Sequence, residues 1–267
     1  NFVLNTFEVT TIIISLNPES SQYYKWFKDY LHTFNMRLSF KKINLLICIL
    51  TMCSFPLSAK ESIKNTLIRG NLTCLKSVGK PNHEIGRFPN KANPNKFQEQ
   101  TLTFCFPTIP KLGNSITWGE MTVGVALNGI PIRPYTADYF DASSKRGFSK
   151  NPSSGLRKQA MFSPRSLGID LHYGHVDKSG LYHYHRWKGD VINNGKEVLI
   201  GYAPDGFKIF YNVREKSSWQ LRNGIRSTVP GGKFDGQFEE DFEYVFNSGS
   251  LDECNGKKLN GVYTYFA

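Results

Sequence analysis

The sequence predicts a mainly β protein: a single compact domain of short strands and long loops, sandwich-like or barrel-like, with few short helices. Hydrophobic residues make up 40% of the chain and aromatic residues 14%, a composition typical of a packed domain and not of a disordered chain. Gly, Pro and Asn are spread along the chain, which favours short strands joined by turns. No amphipathic helix of ordinary length follows residue 60, and no repeat of fixed period is visible.

Apolar or alternating runs between clusters of turn residues predict the individual strands. We expect strands at 101–106, 121–127, 198–202, 244–246 and 262–266, and an extended path at 130–132. Asn128-Gly129 is the strongest short hairpin signal in the chain. The pattern also predicts short helical turns at 138–143 and 238–244 and a long polar surface loop at 141–165.

Residues 36–59 have the pattern of an export signal peptide. A basic segment after Met36 leads into an apolar stretch at 43–55, and small residues follow up to Ala59. The apolar stretch is shorter than the roughly 20 residues that a membrane span needs. We therefore expect a secreted or periplasmic protein whose folded domain covers residues 60–267, with no membrane span in the mature chain.

Residues 1–35 precede the expected start methionine. We interpret them as an upstream leader or a mistranslated segment outside the fold. The alternative is an amphipathic helix between Tyr23 and Tyr30. A lipid anchor at Cys53 is disfavoured, because Met52 stands where a small residue is needed.

Three cysteines remain in the predicted mature domain: Cys74, Cys105 and Cys254. An exported protein reaches an oxidising compartment, where disulfides persist. We expect one disulfide and one free thiol, and the sequence leaves open which two cysteines pair.

The formal net charge of the whole chain is +11. A charge of this size can attract nucleic acid or anionic surfaces. Here, however, Lys and Arg are scattered and often lie beside Asp or Glu, and no basic stripe interleaved with aromatic residues appears. We therefore expect a solvated basic surface and no nucleic-acid partner.

Four of the six histidines fall close together, at His172, His175, His183 and His185. Side chains alternate between the two faces of a strand, so a strand through this segment places His183 and His185 on one face. The tyrosines beside them, at 182 and 184, then line the opposite face.

The preceding segment can supply a third histidine if it folds back as a hairpin. Residues 178–180 (Lys-Ser-Gly) fit a three-residue loop with a left-handed Gly at its end, which sets His175 opposite His183. A four-residue loop would bring His172 to that face instead. The three-residue loop is the preferred interpretation.

Three imidazoles that leave a fourth position open suit zinc or copper. Asp170, Asp177 or Asp205 are candidates for accepting hydrogen bonds from the ring N–H groups, which would fix the tautomers. The alternative is that the histidines are structural and form hydrogen bonds within an aromatic core. No Ser-His-Asp arrangement, phosphate-binding glycine loop or calcium-loop spacing accompanies them.

Six segments of the sequence carry a resemblance to a known family. They are GKPNHEIGRFPNKANPN (79–95), VALNGIPIRP (125–134), GHVDKSGLYHYH (174–185), LIGYAPDGFKIF (199–210), PGGKFDGQFEEDFEYV (230–245) and LDECNGKKLNGVYTYFA (251–267). Together they resemble the YHYH domain, a family of exported proteins without an established activity. The resemblance runs from about Arg69 to the C-terminus.

The resemblance implies further candidates for the site. The family pattern carries an Asn-His-Ala-His element before the tyrosine-histidine motif. Here Tyr173 stands at the first histidine position and His175 at the second, with His172 at the Asn position. His83 matches an early family motif and Asp205 a later one. The resemblance thus adds His172, His83 and Asp205 to the candidate metal residues.

Two functions fit these observations. The first is an envelope or extracellular protein with a histidine-ligated transition metal, including an enzyme that uses the ion to activate water or oxygen. The second is a non-enzymatic module that binds a small molecule, a glycan or another envelope polymer. In that case Trp118, Trp187 and Trp219 would stack on the ligand and the histidines would be structural.

Overall fold

The computed structural model describes three stretches of the chain, namely residues 63–117, 121–188 and 197–267. The predictions for the leader, for the signal peptide and its cleavage site, and for Trp118 lie outside the described residues. The described residues belong to a single compact unit. None of the helical segments among them is long and apolar enough to cross a membrane.

Short strands dominate the described part of the chain. They are β1 (Ile63–Arg69), β2 (Leu72–Ser77), β3 (Leu102–Pro107), β4 (Gly124–Ala126), β5 (Pro131–Ile132), β6 (Tyr139–Phe140), β7 (Phe148–Ser149), β8 (Gly174–Val176), β9 (Tyr182–Tyr184), β10 (Val198–Tyr202), β11 (Lys208–Tyr211), β12 (Trp219–Leu221), β13 (Phe242–Tyr244), β14 (Gly256–Leu259) and β15 (Val262–Phe266). The helical segments are 3₁₀ turns at Pro152–Ser154, Pro164–Leu167 and Glu239–Asp241. The mainly β prediction is confirmed.

An eight-stranded sheet forms the centre of the domain, in the order β14-β15-β11-β10-β4-β5-β9-β8. A three-stranded sheet, β1-β2-β3, packs on part of it, and β6-β7 and β12-β13 form two small ribbons. The main core lies on the central sheet and includes Ile130, Val176, Tyr182 and Ile200, each at most 1% exposed. The histidine segment therefore lies at one end of the central sheet, on β8 and β9.

The contact between the two larger sheets is small and partly aromatic. Leu75 and Phe106 pack against Val125, and the Phe106 ring stacks on Tyr202 with ring centroids 4.9 Å apart. Between β2 and β3, Cys74 and Cys105 are directly opposed and form a disulfide.

This disulfide resolves the cysteine pairing that the sequence leaves open. Cys254 is the free thiol among the described residues. One disulfide and one free thiol are what the sequence predicts.

The central sheet consists of two halves with the same strand pairing. In the first half β4 pairs with β5, and β5 runs parallel to β9, which forms a hairpin with β8. In the second half β10 pairs with β11, and β11 runs parallel to β15, which forms a hairpin with β14. The halves meet where Val125 lies opposite Tyr202. The matching strand pairing indicates an internal duplication within the central sheet, with this pair at the junction of the two halves.

The equivalence holds residue by residue. Residues 123–132 correspond to 200–209, and each stretch has Gly, Ala, Gly and Ile at the same positions. Ile132 pairs with Tyr184 as Ile209 pairs with Tyr265. Loops of different length separate the equivalent elements, which is why the sequence shows no repeat of fixed period.

Each half holds its hairpin with the same hydrogen bonds. Tyr182 donates its hydroxyl to Asp170 Oδ2 at 2.8 Å, and Tyr263 donates to Asp252 Oδ2 at 2.8 Å. In each case Oδ1 of the aspartate accepts two backbone N–H groups of the turn that leads into the hairpin.

Most strands that the sequence predicts are present, with some changes in their bounds. The strands predicted at 198–202 and 262–266 coincide with β10 and β15, and the one at 101–106 is β3 shifted by one residue. The strand predicted at 121–127 is shorter, since β4 covers only Gly124–Ala126.

Two predictions near the small ribbons need correction. The strand predicted at 244–246 lies earlier, as β13, because Phe242 and Tyr244 pair with β12. The helical turn predicted at 138–143 is replaced by β6, which pairs with β7. The turn predicted at 238–244 is present as Glu239–Asp241.

A buried ion pair fixes the loops beside the β12-β13 ribbon. Asp241 is 0% exposed and Arg226 7% exposed. Arg226 donates to both carboxylate oxygens of Asp241, at 2.7 and 2.6 Å. Burial alone would raise the pKa of Asp241, but the hydrogen bonds from Arg226 hold it below its ordinary value.

We expect Asp241→Asn to lower the free energy of unfolding by about 3–5 kcal/mol, because it leaves the buried guanidinium without its main counter-charge. Since the pKa of Asp241 is lower in the folded protein, this contribution is full near neutral pH and is lost as the pH falls below the unfolded value near 3.9. Urea unfolding at several pH values measures both effects. The matched control is Lys80→Met, which removes the exposed ion pair with Glu99 and should cost less than about 1 kcal/mol. Equal losses in the two variants would contradict the prediction.

Candidate metal centre

The β8-β9 hairpin has the register that the sequence predicts. His175 lies opposite His183, and the backbone N–H of Asp177 donates to the carbonyl of Leu181 at 2.9 Å. Gly180 closes the three-residue loop with a φ of +85°, a left-handed conformation that Gly adopts without strain. The three-residue loop and the choice of His175 are confirmed.

The side chains of His175, His183 and His185 converge on one face of this hairpin. The ring centroids lie 4.7 Å apart for His175 and His183, 4.7 Å for His175 and His185, and 5.0 Å for His183 and His185. One ligand nitrogen of each ring lies within 4.8 Å of the other two. The Nε2 atoms of His175 and His185 are 3.1 Å apart.

Backbone carbonyl groups hold the three rings by their other nitrogens. Nδ1 of His175 lies 2.8 Å from the carbonyl oxygen of Leu167, Nδ1 of His185 3.2 Å from that of Pro134, and Nδ1 of His183 3.3 Å from that of Leu181. A carbonyl oxygen only accepts, so these contacts favour the tautomers that carry the proton on Nδ1 and the lone pair on Nε2.

This finding corrects the prediction that aspartates fix the ring tautomers. Asp170 binds Tyr182 and turn N–H groups on the other face of the hairpin. Asp177 accepts from Arg133 and from its own loop. Asp205 lies in the second half, where it accepts a hydrogen bond from Tyr265 at 2.6 Å.

Burial favours the neutral form of all three histidines. Burial lowers the pKa of each ring, to about 3 for His185 and well below the ordinary value for His183. The neighbouring imidazoles and the guanidinium of Arg133 lower the pKa of His183 and His185 further. Neutral imidazole is the form that binds a metal ion.

The two other candidate histidines lie on the tyrosine face of the hairpin. His83 and His172 stack on each other with centroids 3.8 Å apart. His83 Nε2 accepts the hydroxyl of Tyr184 at 2.6 Å, and its Nδ1 donates to the carbonyl of Glu84. The structure therefore brings neither His83 nor His172 to the three-histidine cluster.

A model of the YHYH protein family matches residues 103–267 of this chain. The chain belongs to the YHYH family. No curated protein and no solved structure matches it. The YHYH motif itself is β9 and the residue after it: its histidines form two thirds of the cluster, and its tyrosines face the core.

The second half of this YHYH domain carries different side chains at the equivalent positions. Lys257, Thr264 and Phe266 stand where the first half has His175, His183 and His185. Lys257 forms an ion pair with Glu215 and lies over the Phe266 ring. The backbone and the Asp–Tyr hydrogen bond are shared, so the three histidines are not required by the fold.

Sequence reasoning missed one residue beside the cluster, Arg133. Its Nε donates to the hydroxyl of Thr122 at 3.0 Å and its Nη1 to Asp177 Oδ2 at 2.8 Å. An alignment of 123–133 with 200–210 would have drawn attention to it, because the equivalent residue in the second half is Phe210.

The tryptophans of the alternative function do not form a shared binding platform in the described part of the domain. Trp187 is half-buried and packs against the main core beside Tyr184. Trp219 is half-buried on the separate β12-β13 ribbon and donates its ring N–H to the carbonyl of Glu253.

The start of β8 tolerates no side chain at Gly174. A Cβ there would overlap the ring of Tyr182, the tyrosine that binds Asp170. We expect Gly174→Ala to displace Tyr182 and to lower the free energy of unfolding by about 1–3 kcal/mol. Urea unfolding measures this loss. Gly113→Ala is the control, since the nearest atom to a Cβ at Gly113 is 3.4 Å away. A Gly174→Ala variant as stable as the control would contradict this account of the hairpin.

Proposed function

We propose that this YHYH protein binds one zinc or copper ion through His175, His183 and His185. The observation that carries the proposal is the pair of Nε2 atoms 3.1 Å apart in rings whose Nδ1 atoms both face carbonyl oxygens. Two arguments support this site: the tautomers of the two rings, and the distance between ligands that these metals require.

Two unprotonated ring nitrogens at this distance repel unless a positive charge lies between them. If one neutral ring carried its proton on Nε2, its Nδ1 would have a lone pair instead. That lone pair would face the carbonyl oxygen and be repelled by it. A doubly protonated ring avoids this, but burial disfavours the imidazolium. A metal ion satisfies both Nε2 atoms and leaves both Nδ1–H bonds in place.

The spacing also suits a tetrahedral ion. At metal–nitrogen distances of about 2.0–2.1 Å, two ligands of a tetrahedral site lie about 3.3 Å apart. The 3.1 Å between His175 and His185 is close to this value. Three neutral nitrogen ligands are a set that zinc and copper both accept.

Three protein ligands leave one coordination position open. A bound zinc or copper ion would supply Lewis-acid chemistry there, such as the activation of water, and copper could also react with oxygen. The chain's own residues hold the site: the hairpin sets the ring positions, and the carbonyl groups fix the tautomers. We infer from this arrangement that the protein is a metalloprotein. Any reaction that it catalyses would take place at the open coordination position.

We also propose that the protein works outside the cytoplasm, in the periplasm or after secretion. The signal-like segment at 36–59 supports this location. The Cys74–Cys105 disulfide supports it as well, because disulfides persist in oxidising compartments.

Metal content measured on the purified full chain tests the proposed site. We expect the wild type to retain about one equivalent of zinc or copper after dialysis, and the double variant His183→Ala, His185→Ala to retain less than about a tenth of it. Cobalt substitution should give the visible absorption of a tetrahedral ion in the wild type and not in this double variant.

The matched control is the double variant His83→Ala, His172→Ala, which removes the same number of imidazoles, but ones that lie against the tyrosine face of the hairpin. This variant should keep the metal. Equal metal content in the wild type and in the His183, His185 variant would refute the proposed site. Equal loss in both double variants would assign the effect to folding and also count against it.

A further inference from the structure

We propose that the metal site takes a small anion at its open position and that Arg133 positions this anion. This inference rests on the proposed metal site and names the class of ligand or substrate for it: a small inorganic anion or a carboxylate.

The strand pairing places Arg133 on the face of the histidines. Arg133 directly follows β5, and its N–H donates to the carbonyl of Tyr184 at 2.7 Å. Ile132 pairs with Tyr184 and shares the core with it. Side chains alternate along both strands, so the side chain of Arg133 projects to the opposite face, where His183 and His185 lie.

Two hydrogen bonds hold the guanidinium of Arg133 in place. Arg133 starts from β5 and reaches Asp177, which directly follows β8. Its Nε and Nη1 are held by Thr122 and Asp177, and its Nη2 has no hydrogen-bond partner among the described residues.

The charges at the site favour an anion. Three neutral imidazoles leave the full double charge of the ion uncompensated, and the three ring Nδ1 atoms face carbonyl oxygens instead of carboxylates. Asp177 compensates Arg133, and its Oδ1 is occupied by hydrogen bonds from its own loop. The remaining positive charge is matched by an anion that binds the ion and accepts from Nη2.

Arg133 is also more exposed to solvent than two of the three histidines. The side chain of Arg133 is 24% exposed, whereas His183 and His185 are each 5% exposed. An anion from solvent can therefore contact the guanidinium, and His175 is the partly exposed ring of the cluster.

The duplication separates residues of the site from residues of the fold. The second half keeps the Asp–Tyr hydrogen bond and the strand pairing but has Phe210 at the position of Arg133. It also has Lys257, Thr264 and Phe266 at the three histidine positions. The half with the three histidines therefore also has the arginine, and the half without them has phenylalanine at that position. This is expected if the four residues act together.

Azide binding to the cobalt-loaded full chain tests the inference. Azide is the small anion, imidazole is the neutral ligand for comparison, and the cobalt absorption bands report both. We expect azide to bind the wild type, to bind Arg133→Met at least tenfold more weakly, and to bind Arg133→Lys with intermediate affinity. Imidazole affinity should differ by less than about twofold among the three proteins.

Arg186→Met is the matched control, because Arg186 follows His185 directly but is exposed and lies over the ring of Tyr173. It should bind azide like the wild type. Cobalt uptake by each variant shows that its site is formed. A protein that takes up no cobalt contradicts the proposed function and the anion site with it. If both proteins take up cobalt but the wild type and Arg133→Met bind azide equally well, the anion site alone is contradicted. The same holds if Arg186→Met weakens azide binding as much as Arg133→Met does.

Discussion

The parallel pairing of β5 with β9 is the constraint on which the candidate site depends. It fixes β9 so that Tyr182 and Tyr184 enter the core and His183 and His185 take the other face. A shift of this register by one residue would exchange the two faces, which would put imidazoles into the core and tyrosines at the site. The buried tyrosines, each at most 4% exposed, therefore hold the histidines in place as firmly as any contact of the rings themselves.

Local parts of the site could be predicted from the sequence, and parts built from distant segments could not. The three-residue loop ending in Gly180 sets the hairpin register, so the pairing of His175 with His183 follows from neighbouring residues. His83 lies far from the hairpin in sequence, and its stacking on His172 depends on the path of the intervening chain. The same holds for Arg133, whose reach to Asp177 requires the β5-β9 pairing.

The prediction that aspartates accept hydrogen bonds from the histidine rings was wrong for a physical reason. Side-chain carboxylates can be recognised in a sequence, whereas every residue has a carbonyl group and only the backbone path decides which of them faces a ring. Here the carbonyls of Leu167, Leu181 and Pro134 have that position.

The fold class was easier to predict from the sequence, since turn residues and short apolar runs indicate strands wherever they occur. The duplication was not visible because the halves share a hydrogen-bond framework more than they share side chains.

The parallel pairings also bear on how the domain assembles. Each half is closed by two strands that lie far apart along the chain, β5 with β9 and β11 with β15. Contacts of this kind are reached slowly, because a long loop must be ordered before they form. The β8-β9 hairpin can form earlier on its own, but the carbonyl of Pro134, which orients His185, arrives only with β5. The complete ligand set thus exists only once the sheet has closed, so an ion bound there would stabilise the native state over its precursors.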